Sequence, residues 1–293
     1  MLLLTGATGQ VGTALLRRLT AAGTSVRCLV RDPRRLGDDR VRVQIAIGDL
    51  ADPTSFRHAL RGVETVVHLA ATGRDQPRGS IEELGALATW RLVRAAERAR
   101  VSHFVLLSAL GASPSSGSRF LRSKWLAERA VAESGLGHAI LAPSLTYSAA
   151  GPWMRRLERV ARLAPLVPIA GGGKAHSQPI WAEDVADCLV AALAGDGASG
   201  RRVELAGPDA LSYAQVAHLA LRGVRRDRPL LHVPAGAARR TLALLELLAG
   251  PTAMVTRDEA DFLQQNMTSR TGTAGAESLG ITPRPMRAVL GAA

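Results

Sequence analysis

The chain has 293 residues, of which 47% are hydrophobic and 21% charged. This is an ordinary globular composition, long enough for one large domain or two small ones, and it excludes disorder as the main state. No stretch approaches the roughly 18 uninterrupted apolar residues of a membrane span. The opening Met1-Leu2-Leu3-Leu4-Thr5-Gly6 lacks the charge and apolar length of a signal peptide. Two cysteines, Cys28 and Cys188, exclude a disulfide scaffold and a cysteine-rich zinc site. The expected setting is cytoplasmic. The net charge of +12 rests on 35 arginines and two lysines, Lys124 and Lys174. The arginines are scattered, in pairs such as Arg17-Arg18 and Arg225-Arg226, and ten aromatic residues leave little for base stacking. The expected partner is a small-molecule substrate rather than nucleic acid, with the oligomeric state left open.

In chain order, strands are predicted at residues 2–5, 25–31, 41–47, 65–70, 103–108 and 138–141. Helices alternate with them at residues 10–22, 53–60, 82–99 and 118–134. Near-continuous apolar strands alternating with helices predict a doubly wound parallel sheet covered on both faces. After Pro143 the pattern changes. Helices are expected at 152–163, 181–193, 212–221 (with Ser212 as N-cap), 242–248 and 257–266. A strand is expected at 202–205, a loop at 166–178, and a weakly structured tail around Pro283 and Pro285. The division expected is a nucleotide-binding Rossmann domain over residues 1–150 and a substrate-side cap over 151–293, packed on the first domain.

Thr5-Gly6-Ala7-Thr8-Gly9-Gln10-Val11-Gly12 joins the first strand to the first helix. Its glycine spacing is G-x-x-G-x-x-G rather than the G-x-G-x-x-G of dehydrogenases, but the physics is shared. Gly6 lets the chain turn off the strand, Gly9 clears the backbone for a pyrophosphate, and Gly12 lets the helix approach the sheet. The helix N-terminus offers N–H groups and a positive dipole end to phosphate.

This loop, followed by VRDP, GDL, HLAA, FVLLSALGA, SKWLAE, LAPSLTY and PIWAEDVAD, resembles the atypical short-chain dehydrogenase/reductases. Within them it resembles the NmrA-like NAD(P)H-binding proteins and the branch of the 39 kDa accessory subunit of respiratory complex I. The resemblance covers roughly residues 1–235. It implies a Rossmann fold and a nicotinamide cofactor held by the loop from Thr5 through Thr8 to Gly12. It further implies that Asp49 and Leu50 lie beside the adenine, that Ala70, Ala71 and Thr72 line the nucleotide, and that the segment at Pro143 passes the carboxamide. At the end of the second strand an acid favours NAD and an arginine favours NADP, whose 2′-phosphate suits a guanidinium. Arg31 stands there, with Arg34 and Arg35 near and Asp32 able to cap the turn, so NADP(H) is expected over NAD.

The resemblance also exposes a departure. The family's Y-x-x-x-K acid and helper lysine match Phe120-Leu121-Arg122-Ser123-Lys124, so the lysine is present and the tyrosine is phenylalanine, which has no proton to give. Leu110 stands where the catalytic hydroxyl is usual. Replacement donors are Ser108 (or Ser113, Ser115, Ser116 and Ser118 in the adjoining loop) and Tyr147. Lys124, four residues after Phe120 and on the same helix face, is expected at the nicotinamide ribose. The alternative for Lys124 is a surface pairing with Glu128. His68 reads as a core residue, and His176 as a possible cleft residue. No histidine pair has metal-ligand spacing, and no G-x-S-x-G elbow occurs. The expected function is an NADP-dependent oxidoreductase with a non-standard proton donor. The alternatives are a non-catalytic NADPH-binding sensor or assembly protein, and isomerase, epimerase or cyclase chemistry on the same fold.

Overall fold

The computed structural model describes residues 1–149, 151–195, 198–250 and 253–291. Its strands are Leu2–Thr5 (β1), Val26–Val30 (β2), Gln44–Ile47 (β3), Thr65–His68 (β4), His103–Leu107 (β5), Gly137–Pro143 (β6), Thr146–Tyr147 (β7), Val167–Ala170 (β8), His176–Ser177 (β9), Ile180–Trp181 (β10), Arg202–Leu205 (β11), Leu211–Ser212 (β12) and Leu230–Val233 (β13). The α-helices are Gln10–Ala21 (α1), Pro53–Phe56 (α2), Ala88–Arg98 (α3), Arg119–Ala132 (α4), Pro152–Leu163 (α5), Ala182–Ala194 (α6), Tyr213–Gly223 (α7), Ala235–Ala249 (α8), Arg257–Leu263 (α9), Ala274–Glu277 (α10) and Met286–Gly291 (α11).

Seven strands form one sheet in the order β3-β2-β1-β4-β5-β6-β11, all paired parallel. The period-two alternation of strand side chains sorts β1 between two cores. Leu2 and Leu4 join one cluster with Leu15, Leu16 and Leu19 of α1 and Val185 and Leu189 of α6. Leu3 joins the other, with Phe56, Leu92 and Val93, and Val131 of α4. The chain order reverses between β1 and β4, so the switch point where doubly wound sheets bind ligands falls at the C-terminal ends of these two strands.

After residue 150 the described chain adds β11 to the edge of this sheet and packs α6 on its face. Helices α5, α7 and α11 share a cluster around Met154, Val216, Ala220, Met286 and Leu290, and β8 pairs with β13. Several sequence expectations change here. The segment read as a loop over 166–178 contains β8 and β9, and β13 carried no recognised signal. Helix α8 begins seven residues before 242, and α9 ends at Leu263 rather than 266. The tail expected to be weakly structured ends in α11, because Met286 and Leu290 are buried against α7. The long helix expected over 82–99 opens with a π-helical turn, Glu83–Leu87. Asp32 does cap the turn that follows β2, accepting the Arg34 N–H at 3.0 Å.

Candidate functional site

The glycine loop is built almost entirely by backbone sterics. Gly6 adopts φ +75°, and a Cβ there would lie 2.6 Å from the Ala70 nitrogen, so β1 and the segment after β4 touch at this point. A Cβ on Gly12 would lie 2.1 Å from the Gly6 carbonyl oxygen, which locks α1 against the loop. Gly9 is the exposed N-cap of α1, supplies no side-chain cap, and is followed by no acid in the first turn. The first N–H groups of a helix have no partner within it, so this end is shaped for an external anion. These features fit a dinucleotide pyrophosphate. Gln10 ties the loop to the strand beyond β6, its side-chain amide donating to the Thr146 carbonyl at 3.0 Å. Thr8 is half-buried and Val11 buried.

The other predicted nucleotide residues gather around this end. Arg31, Arg34 and Arg35 are exposed beyond the C-terminus of β2. Asp49 lies beyond β3, with Leu50 half-buried after it. Burial opposes ionisation of Asp49. The Ala51 N–H, the Arg78 guanidinium at 2.9 Å and the charge of Arg31 outweigh it and hold the carboxyl below its ordinary range. Beyond β4, Ala70 abuts Gly6, Ala71 is exposed, and the Thr72 hydroxyl donates to the Arg74 carbonyl at 2.7 Å. Pro143 ends β6, and its carbonyl accepts the Leu110 N–H at 2.7 Å.

Beneath the loop, His68 is fully buried between the hydroxyls of Thr5 (2.7 Å) and Thr89 (3.0 Å). Burial, aided by the charge of Lys124, brings its pKa down to about 3, so it is a neutral core residue. Lys124 is buried on α4 and donates to the Leu107 carbonyl at 2.6 Å. It is therefore not a surface lysine. Burial brings its pKa down to about 8, against the opposing pull of Glu128. Its ammonium lies 5.7 Å from the centre of the Phe120 ring. That ring meets Phe262 of α9 edge-on at 5.3 Å.

The two candidate hydroxyl donors have other surroundings. Ser108 is buried and donates to the Glu128 carboxylate, whose second oxygen accepts from Arg202 at 2.9 Å. Tyr147 is buried in the apolar cluster of α5, α7 and α11, and its hydroxyl has no hydrogen-bond partner among the described residues. Burial first, then Asp184 and Asp209, push its pKa up beyond the normal tyrosine range. His176 is exposed, and its backbone N–H donates to the Asn266 side-chain oxygen. Among the described residues no group of histidine, cysteine, aspartate and glutamate could hold a metal.

Sequence reasoning missed the residues that close the far side. Arg74 and Arg156 both bond Glu259, at 2.7 and 3.0 Å, and Arg119 joins Asp75, Glu82 and Asp258. These pairs bridge up to 185 positions, so no local pattern reveals them. The one available signal was Thr256-Arg257-Asp258-Glu259, an S/T-x-x-E capping box, which forms at the start of α9. A cleft of about 510 Å³ lies beside these pairs, lined by residues that include Arg119, Arg122, Arg239 and Asp258.

Residues 6–196 match a family described as NAD(P)H-binding. A Streptomyces griseus (4-alkanoyl-5-oxo-2,5-dihydrofuran-3-yl)methyl phosphate reductase is 30% identical, covering 98% of this chain and 95% of the relative. Subunit 9 of the NADH dehydrogenase 1 alpha subcomplex of Arabidopsis thaliana mitochondria is 31% identical over 73% of this chain, which spans only 55% of that subunit's length. An NADPH complex of the Escherichia coli NADPH-dependent quinone oxidoreductase QOR2 superposes with a TM-score of 0.75, covering 100% of this chain and 99% of that one at 18% identity. At that identity the likeness concerns the fold.

Proposed function

The chain belongs to the NAD(P)H-binding family, and on that premise we propose that it is an NADP(H)-dependent oxidoreductase acting on a small organic substrate without the usual tyrosine. The observation that carries this reading is Lys124. It is a buried ammonium at the C-terminal end of β5, on the strand-end side where the glycine loop opens. When bound, the cofactor supplies a hydride. The loop from Thr5 to Gly12 receives the pyrophosphate on its backbone N–H groups. Arg31 would pair with the 2′-phosphate, Asp49 and Leu50 would flank the adenine, and Ala70, Ala71, Thr72 and Pro143 would line the rest. Residues 151–293 supply the substrate side.

Lys124, which donates to the Leu107 carbonyl, would hold the ribose hydroxyls. With a pKa of about 8 it holds a proton at neutral pH. It is the donor we assign: its ammonium would hold the proton that the substrate oxygen takes up. Ser108 and Tyr147 are weaker candidates, because the hydroxyl of the first is committed to Glu128 and that of the second lies in an apolar cluster. The reductase relative supports the reaction class.

A second reading, binding without turnover, is favoured by the Phe120–Phe262 contact, which covers the position of the usual acid. The test follows the near-ultraviolet absorbance of NADPH with a panel of aldehydes, ketones, quinones and enones. Turnover that Lys124→Met abolishes supports the oxidoreductase. Tight NADPH binding without turnover supports the second reading.

A further inference from the structure

Helix α8 has two unlike faces. Ala238, Leu242 and Glu246, spaced four apart, turn inward, Ala238 fully and the other two partly. The opposite face carries Arg240, Leu244 and Leu248 in one row, with Leu247 beside it and Leu245 between that row and Ala238. All five are exposed, Leu247 and Leu248 at 80% and 75%. Two further exposed apolar residues, Met254 and Val255, follow the helix. Arg257 bonds Glu246 through both its backbone and its side chain, which keeps this connecting segment beside the helix's last turns. A row of leucines open to water is costly, and monomeric proteins rarely carry one without a partner.

The charges around this face decide between partners. Residues 235–263 contain four carboxylates, Glu246, Asp258, Glu259 and Asp261. Each faces an arginine: Glu246 with Arg257, Asp258 with Arg119, Glu259 with Arg74 and Arg156, and Asp261 with Arg239 at 3.6 Å. What remains toward solvent is apolar and basic, with Arg240 in no ion pair among the described residues. A second copy seated on this face would set one +12 chain on another. An anionic bilayer supplies what is missing. Acyl chains accept the leucines, and headgroup phosphates pair with Arg240.

We propose that α8 is an interfacial helix that docks the protein on anionic lipid bilayers, lying flat with the Leu244–Leu248 row inserted. At 15 residues it spans about 22 Å of length at 1.5 Å per residue, too short to cross, and no described helix is long and apolar enough to do so. Docking sets the α9 segment, with Phe262 over Phe120, beside the membrane surface.

The test is sedimentation of the full chain with phosphatidylcholine vesicles, with and without phosphatidylglycerol. The expected result is recovery with the phosphatidylglycerol vesicles alone, release by high salt, and several-fold weaker recovery for Arg240→Glu. The double variant Leu244→Glu/Leu248→Glu is expected at background with an unchanged melting temperature, since both side chains already face water. Failure of the wild-type chain to bind phosphatidylglycerol vesicles overturns the proposal, as does equal binding by the double variant. A concentration-dependent dimer that the double variant dissolves would assign the face to a second copy and also overturn it.

Discussion

The two ends of the candidate site are held by different forces. At the glycine loop, Gly6 and Gly12 fix the geometry because any side chain would strike the backbone of Ala70 or of the loop itself. At the other end, α9 is held over Phe120 mainly by arginine–carboxylate pairs from α4, α5 and the segment after β4. Backbone sterics are short-ranged and insensitive to salt. Ion pairs at a partly exposed surface are screened and individually modest. The first end is therefore expected to be rigid and the second to be the part that opens.

Three substitutions sharpen that contrast, in falling order of effect. Gly12→Val forces a Cβ into the Gly6 carbonyl. It is expected to cost about 2–3 kcal/mol, as for an overpacked core site, and to abolish NADPH binding. Denaturant titration with calorimetry checks both, and a stable variant with normal affinity would break the steric account.

Lys124 gives a pH signature. Its folded pKa, about 8, lies below the ordinary 10.5. Below about pH 8 both folded and unfolded chains hold the proton and stability is flat. Between about 8 and 10.5 the unfolded chain keeps a proton that the folded chain has shed, so stability rises with pH. Lys124→Met is expected to remove that rise. NADPH affinity of the wild-type chain is expected to move the opposite way, falling as the ammonium is lost. Melting curves and NADPH titrations across this range check the pair of signs. Parallel changes would remove Lys124 from the cofactor.

Glu259→Gln is the mildest. It leaves Arg74 and Arg156 without their shared carboxylate and is expected to cost about 1 kcal/mol, near the upper end for exposed pairs. Its readout is local: limited proteolysis within residues 235–263 should accelerate while the sheet stays protected. Uniform loss of protection would mean that α9 and the sheet unfold as one unit.

The same division governs what the sequence reveals. The apolar runs of β1, β4 and β5 and the glycines between β1 and α1 are local patterns with one physical solution, so the parallel sheet and the tight turn into α1 are legible from residues alone. Ser212, expected as an N-cap, forms a full capping box with Gln215. The substrate side depends on partners far apart in the chain. Whether Ser108 meets substrate or Glu128 is decided by α4 packing on β5, and whether Tyr147 reaches a cleft is decided by α7 and α11. Helix α11 follows two prolines and has too few residues to show a period, and β13 is a four-residue ladder that needs β8 beside it. Each is stabilised by tertiary contact rather than by local propensity.

The central claim, a nucleotide site selective for the phosphorylated cofactor, is tested most directly by calorimetric titration of NADPH and NADH into the wild-type chain and Arg31→Ala. The account predicts tighter NADPH binding in the wild type and a gap that narrows in the variant because NADPH, not NADH, loses affinity. Equal affinities in the wild type, or no binding of either nucleotide, would contradict it.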